Sequence, residues 1–101
     1  MIDIDKLKIS TLCENSVEDS YYLGEWGFSV FISINNKYSL LFDTGMGRAL
    51  LPNADALGID ISGIEGIVLS HGHDDHTAGL RQLLKRIHYL KPDKKIEILC
   101  H

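Results

Sequence analysis

A chain of 101 residues is long enough for one small domain with a limited core, and 45% hydrophobic against 24% charged residues is ordinary globular composition. The formal charge of -4 offers no basic field, so neither nucleic acid nor an anionic membrane is an expected partner. Cys13 and Cys100 form no Cys-x-x-Cys pattern, no stretch approaches the ~20 apolar residues of a membrane span, and Met1 to Lys6 lacks the pattern of a secretory signal; reduced thiols in a cytoplasmic protein are therefore expected.

Leu7 to Leu12 sets Leu7 and Ile9 against Lys8 and Ser10, the alternation of a short strand, and the polar stretch Glu14 to Ser20 is a loop. Trp26 is read as a core or rim aromatic. Phe28 to Ile34 is aromatic and β-branched, with Phe28, Val30, Ile32 and Ile34 on one face. Asn35-Asn36 is a turn signal, so Tyr38 to Asp43 should return as the antiparallel partner of a hairpin. Leu40, Leu41 and Phe42 are consecutive apolar residues, which predicts a strand covered on both faces.

Asp43 closes that strand, with Thr44 and Gly45 making the turn. Leu50, Leu51, Ala54 and Leu57 recur at helical spacing, with Pro52 in the first turn and Gly58 as the stop. Asp60 to Ile64 is a turn. Gly66 to Ser70 is another strand apolar on both faces, through Ile67, Val68 and Leu69. Leu80, Leu83, Leu84, Ile87 and Leu90 mark an amphipathic helix that Pro92 follows, and His88 falls with Arg81 and Lys85 on its solvated side. Lys95 to Cys100 is a final strand. The order is β, β-hairpin, α, β, α, β, with no repeat, low-complexity tract or linker.

Chemistry concentrates between the Gly66 strand and the second helix, in Ser70-His71-Gly72-His73-Asp74-Asp75-His76. If the backbone stays extended past Ser70, its period of two puts His71, His73 and Asp75 on one side and turns His76 away. Imidazole nitrogen and carboxylate oxygen suit zinc, with Mn2+ or Fe2+ as alternatives, and such ions take three or four ligands of this kind. One loop therefore supplies most of a metal site, at the C-terminal end of a strand where α/β folds place their ligands. A helix N-cap at Asp74 or Asp75 is the plainer explanation, but three of the chain's five histidines at this spacing beside a carboxylate favour ligation.

The segments Leu40 to Gly45, Asn53 to Asp60 and Ile67 to Leu80 resemble the metallo-β-lactamase-fold hydrolases, with wording most similar to the branch of dihydropterin ribofuranosyl-aminobenzene-phosphate synthase-like proteins. The resemblance implies an α/β fold, the N-terminal αβ half of an αβ/βα sandwich, with a mixed sheet and two helices on one face. It implies that His71 and His73 hold one metal ion and Asp75 and His76 a second. Asp75 would also orient a metal-activated water, or take its proton, for attack on a small-molecule ester or phosphoester. A carboxylate at Asp43 would support the metal loop from behind, which is compatible with a turn-forming role. His73, where a glutamate would mark the oxygen-reducing di-iron branch, points to the hydrolytic members.

Family members are longer, and residues resembling the remaining ligands fall beyond His101, so residues 1–101 are expected to be a truncated domain with two protein ligands for each metal. A frayed end is the expectation for His101 itself. Two helices cover one face of a sheet, so a homodimer or higher homo-oligomer is expected to cover the other. A catalytically inactive, metal-binding or self-assembling module is the alternative to an enzyme. Substrate identity is not legible, because specificity in such folds lies in loops over the site.

Overall fold

The computed structural model describes residues 4–14, 22–24, 27–71 and 77–100. Five strands, β1 (Leu7–Cys13), β2 (Ser29–Ile34), β3 (Tyr38–Phe42), β4 (Gly66–Leu69) and β5 (Glu97–Cys100), form one sheet in the order β1-β2-β3-β4-β5. β2 is antiparallel to β1 and to β3, whereas β4 is parallel to β3 and to β5. The sheet is therefore mixed, as expected. Four strands run in one direction, and their C-terminal ends gather with the start of β2 along one edge.

The β2–β3 turn has positive φ at Asn35 (55°) and Asn36 (53°), a backbone that asparagine tolerates better than most residues. The Asn35 side chain also accepts the amides of Asp5 and Lys6, fastening the start of β1 to the hairpin. A register shift between Thr11 and Cys13 marks a bulge at the other end of β1, and both Leu12 and Cys13 are buried there.

Helix α1 (Leu50–Leu57), a 3-10 turn (Ile61–Gly63) and helix α2 (Leu80–Leu90) lie against one face of this sheet. Pro52 is the third residue of α1, inside the first turn where a missing N–H costs no helical bond. Gly58 ends α1 with φ 70°, and its amide and that of Ile59 satisfy the last carbonyls. Leu12, Phe31, Leu41 and Ile67 of the strands meet Leu50 and Ala54 of α1, Ile61 and Ile64, and Leu83 and Ile87 of α2. Leu41 and Ile67 are register partners and wholly buried, so the parallel β3–β4 pair forms the centre of the core.

Among the described residues the opposite face has no cover, as expected for a sheet with two helices on one face; the second layer of cover implied by the apolar runs of β3 and β4 is not supplied by these elements. Register places Leu7 and Ile9 beside Ile34 and Ile32, then Tyr38 and Leu40, and finally Val68 beside Leu99 on that face. Leu7 is 54%, Ile9 62% and Leu99 63% exposed. The apolar run in β3 thus reflects one face packed on helices and a second that is apolar but open. β5 also begins later than the Lys95 start read from the sequence, because its first ladder bond is Glu97 N–H to Glu65 O. No described helix is long and apolar enough to cross a membrane.

Candidate metal centre

The site is built at the edge where the strand ends gather. Asp43 leaves β3 with φ 58°, a left-handed conformation that costs most residues about 1 kcal/mol and that aspartate visits more readily. Its backbone is held on both sides, with its N–H donating to Val68 O at 2.8 Å and its carbonyl accepting the Ser29 hydroxyl at 2.7 Å. The carboxylate is fully buried. One oxygen accepts the Ser70 amide at 2.7 Å, and the other accepts the Ser70 hydroxyl at 2.6 Å. Ser70 Oγ lies 2.7 Å from Nδ1 of the half-buried His71. Asp43 therefore reaches the first histidine of the motif through a serine.

Backbone contacts lock the same corner to helix α2. Gly45, at φ 67°, donates to Phe28 O, and the Gly79 amide donates to Gly45 O. Gly79 sits so close to the Thr44 carbonyl that no side chain fits: a Cβ there would overlap the oxygen. Nearby, Asn53 of α1 is 5% exposed and donates from Nδ2 to Leu12 O and Leu23 O, while its Oδ1 accepts the Leu23 amide, each at 2.8 Å. Asn53 thereby ties the end of β1 and the backbone of Leu23 to helix α1.

Of the residues singled out in the sequence, His71 and Asp43 are placed together by this network. His73, Asp75 and His76 lie outside the described residues, as do Asp74, Trp26, His101 and the loop residues after Glu14. Among the described residues no three His, Cys, Asp or Glu side chains cluster as a metal site. His88 is exposed on α2, as expected; Cys13 is buried and Cys100 exposed, neither in a disulfide. Ser70, Ser29 and Gly79 escaped the sequence reading as parts of the site. Ser70 alone carried a signal, a hydroxyl immediately before the first histidine at a strand end.

A five-stranded mixed sheet with two helices on one face, and a buried aspartate beside the strand end that carries His71, frame the comparison with known proteins. The profile of the Metallo-beta-lactamase superfamily matches residues 26–91, and the chain belongs to that family. It is 35% identical over 103 residues to 7,8-dihydropterin-6-methyl-4-(beta-D-ribofuranosyl)-aminobenzene-5'-phosphate synthase of Methanocaldococcus jannaschii, an alignment spanning 97% of this chain and 33% of that protein. Among solved structures, the metallo-beta-lactamase fold protein YhfI from Bacillus subtilis superposes with a TM-score of 0.67 at 23% identity, over 96% of this chain and 39% of that one. The short form of human tRNase Z superposes with a TM-score of 0.63 at 26% identity, over 89% and 33%. The chain thus spans about a third of the length of the curated relatives it matches.

Proposed function

We propose that this chain carries the first half of a divalent-metal centre that hydrolyses an ester or phosphoester. The observation that carries the proposal is the fixed sequence of buried Asp43, Ser70 and His71 at the sheet edge, immediately before His73, Asp75 and His76. This arrangement fits a metal ion: ligating histidines characteristically bond through their second nitrogen to a group that sets the ring's orientation, and His71 Nδ1 has such a partner. His71 and His73 would hold one ion, and Asp75 and His76 a second, with zinc the first candidate and Mn2+ or Fe2+ as alternatives. When bound, such an ion polarises the substrate oxygen and makes water acidic enough to act near neutral pH. Asp75 is the group assigned to orient that water or take its proton. The M. jannaschii relative is named for a compound carrying a 5'-phosphate, which favours a phosphoester. Cys13 and Cys100 outside any disulfide suit a cytoplasmic setting.

A second reading, a self-assembling module without turnover, is favoured by the open apolar face of the sheet. Such contiguous patches mark interaction surfaces, and two copies packed face to face would imitate the two layers of the family's sandwich. Metal content and turnover together decide between the readings. Protein purified without chelator should hold about one or two zinc, manganese or iron ions per chain, lost in the His71→Ala/His73→Ala double variant, and should cleave a chromogenic phosphodiester. A folded, metal-free protein without turnover would remove the hydrolase reading and leave the assembly module.

A further inference from the structure

We infer that the end of the sheet opposite the histidine-aspartate loop carries a second binding site, for a small oxyanion of the phosphate type. A groove of about 490 Å3 lies there, lined by β1, β2, the β2–β3 turn, the start of β3 and the chain that follows α1. Its floor is a row across three strands on the helix-bearing face, with Lys8 paired to Ser33 and Ser33 to Ser39; Ser10 lies one step nearer the core. Lys37 of the turn stands at the rim. Ser39 precedes Asp43 by four residues along β3, about 13 Å at the rise of a strand, so the groove is separate from the candidate metal centre.

The groove's composition calls for an acceptor-rich ligand. Ser10, Ser33 and Ser39 are half-buried, and their hydroxyls have no hydrogen-bond partner among the described residues. Lys8 and Lys37 make no ion pair with those residues either. The Lys37 ammonium rests 5.6 Å from the Tyr38 ring centre, an exposed contact that it can leave. Asp60 is the one carboxylate among the described lining residues, and its own turn engages it: one oxygen takes the Ser62 amide at 3.0 Å and the Ser62 hydroxyl at 2.6 Å. Two ammonium groups and three hydroxyls against that carboxylate leave a surplus of donors, which an oxyanion matches and a cation does not. Shape is an independent indication. Gly63, on the wall opposite the strands, has no positive φ, and a Cβ there would have open space around it to 4 Å. Neither backbone nor packing requires glycine at this position, and its bare Cα keeps the groove open. The volume falls within the range of small-molecule sites, about 300–1,000 Å3, which leaves room for the remainder of a phosphate monoester.

Binding can be read on the whole 15N-labelled chain, from 1H–15N spectra during titration with sodium phosphate or glycerol 2-phosphate, against sodium chloride at equal ionic strength. The amides of Lys8, Ser33, Ser39 and Gly63 should shift saturably with phosphate or its ester and not with chloride. Equal affinities would identify free phosphate as the ligand, and tighter binding of glycerol 2-phosphate would identify a monoester. Lys8→Gln combined with Lys37→Gln should weaken binding about tenfold or more. Gly63→Gln should abolish it by filling the groove, and both variants should keep the native circular dichroism spectrum. The same shifts should persist in His71→Ala/His73→Ala, so loss of the metal centre and loss of this site are told apart. No saturable shift at millimolar concentration, shifts confined to α2 and the histidine-aspartate loop, or undiminished affinity in either folded groove variant would overturn the inference. If one groove variant does not fold, the other and the wild-type titration decide.

Discussion

At Gly79 one methyl group decides whether the corner after β3 and the start of α2 stay in contact. The Thr44 carbonyl occupies the space that a Cβ would need, and it belongs to backbone that cannot swing aside as a side chain could. Gly79→Ala should cost about 2–3 kcal/mol, measurable as a lowered urea midpoint. Asp60 offers a test of charge. The Ser62 hydroxyl bonded to its carboxylate holds its pKa below the ordinary 3.8, with lesser help from the Ser62 amide, Lys91 and Lys94 and against the effect of partial burial. A depressed folded-state pKa stabilises above the ordinary value and is lost as pH falls through the depressed one. The stability gap between wild type and Asp60→Asn should therefore be full at neutral pH and close progressively below about pH 4, followed by urea unfolding across that range. At this scale the sequence was informative where chemistry is local. His71 was legible from a repeat of two residues, whereas the bond from Asp43 to Ser70 joins positions 27 apart that no periodicity connects.

Elements were more legible than the contacts between them. The Asn35-Asn36 turn, the Gly58 stop and the leucine spacing of α2 are each determined within a few residues, and each stands where the sequence placed it. The bulge in β1 and the late start of β5 depend on partners far along the chain and could not be read in advance. Asn53 shows the difference in energy. Its three bonds reach backbone groups on two other segments, so Asn53→Ala strands the buried Leu12 carbonyl and the part-buried carbonyl and amide of Leu23 and should cost about 2–4 kcal/mol. Arg86 and Asp55 also tie α2 to α1, at 2.8 Å, but both are solvent-exposed enough that Arg86→Ala should cost under about 1 kcal/mol. Thermal unfolding of the two variants would reverse this ranking only if the Asn53 network were replaceable by water.

For the whole molecule the decisive property is the asymmetry of its sheet. One face holds the core and the other leaves Leu7, Ile9 and Leu99 largely in contact with solvent. If two copies bring these faces together, light scattering should give a dimer at micromolar concentration, and Ile9→Lys combined with Ile32→Lys should give a monomer with an unchanged circular dichroism spectrum. A monomeric wild type would remove the face-to-face arrangement. The fold class was legible from the alternation of strands and helices. The open face was legible too, because two helices suffice for one side of a sheet, whereas a run of apolar residues does not say what meets the other side.

The bond between Asp43 and the Ser70 amide also makes the site a clock for folding. Forming it closes a loop that contains α1, the 3-10 turn and β4, so it has no local precursor and must await pairing of the two central strands. Deuterium should accordingly enter the Ser70 amide only through opening of the whole domain, at a rate matched by Asp43, whose amide closes the same strand pair from the other side. The loop's anchor would then be released only together with the central strand pair.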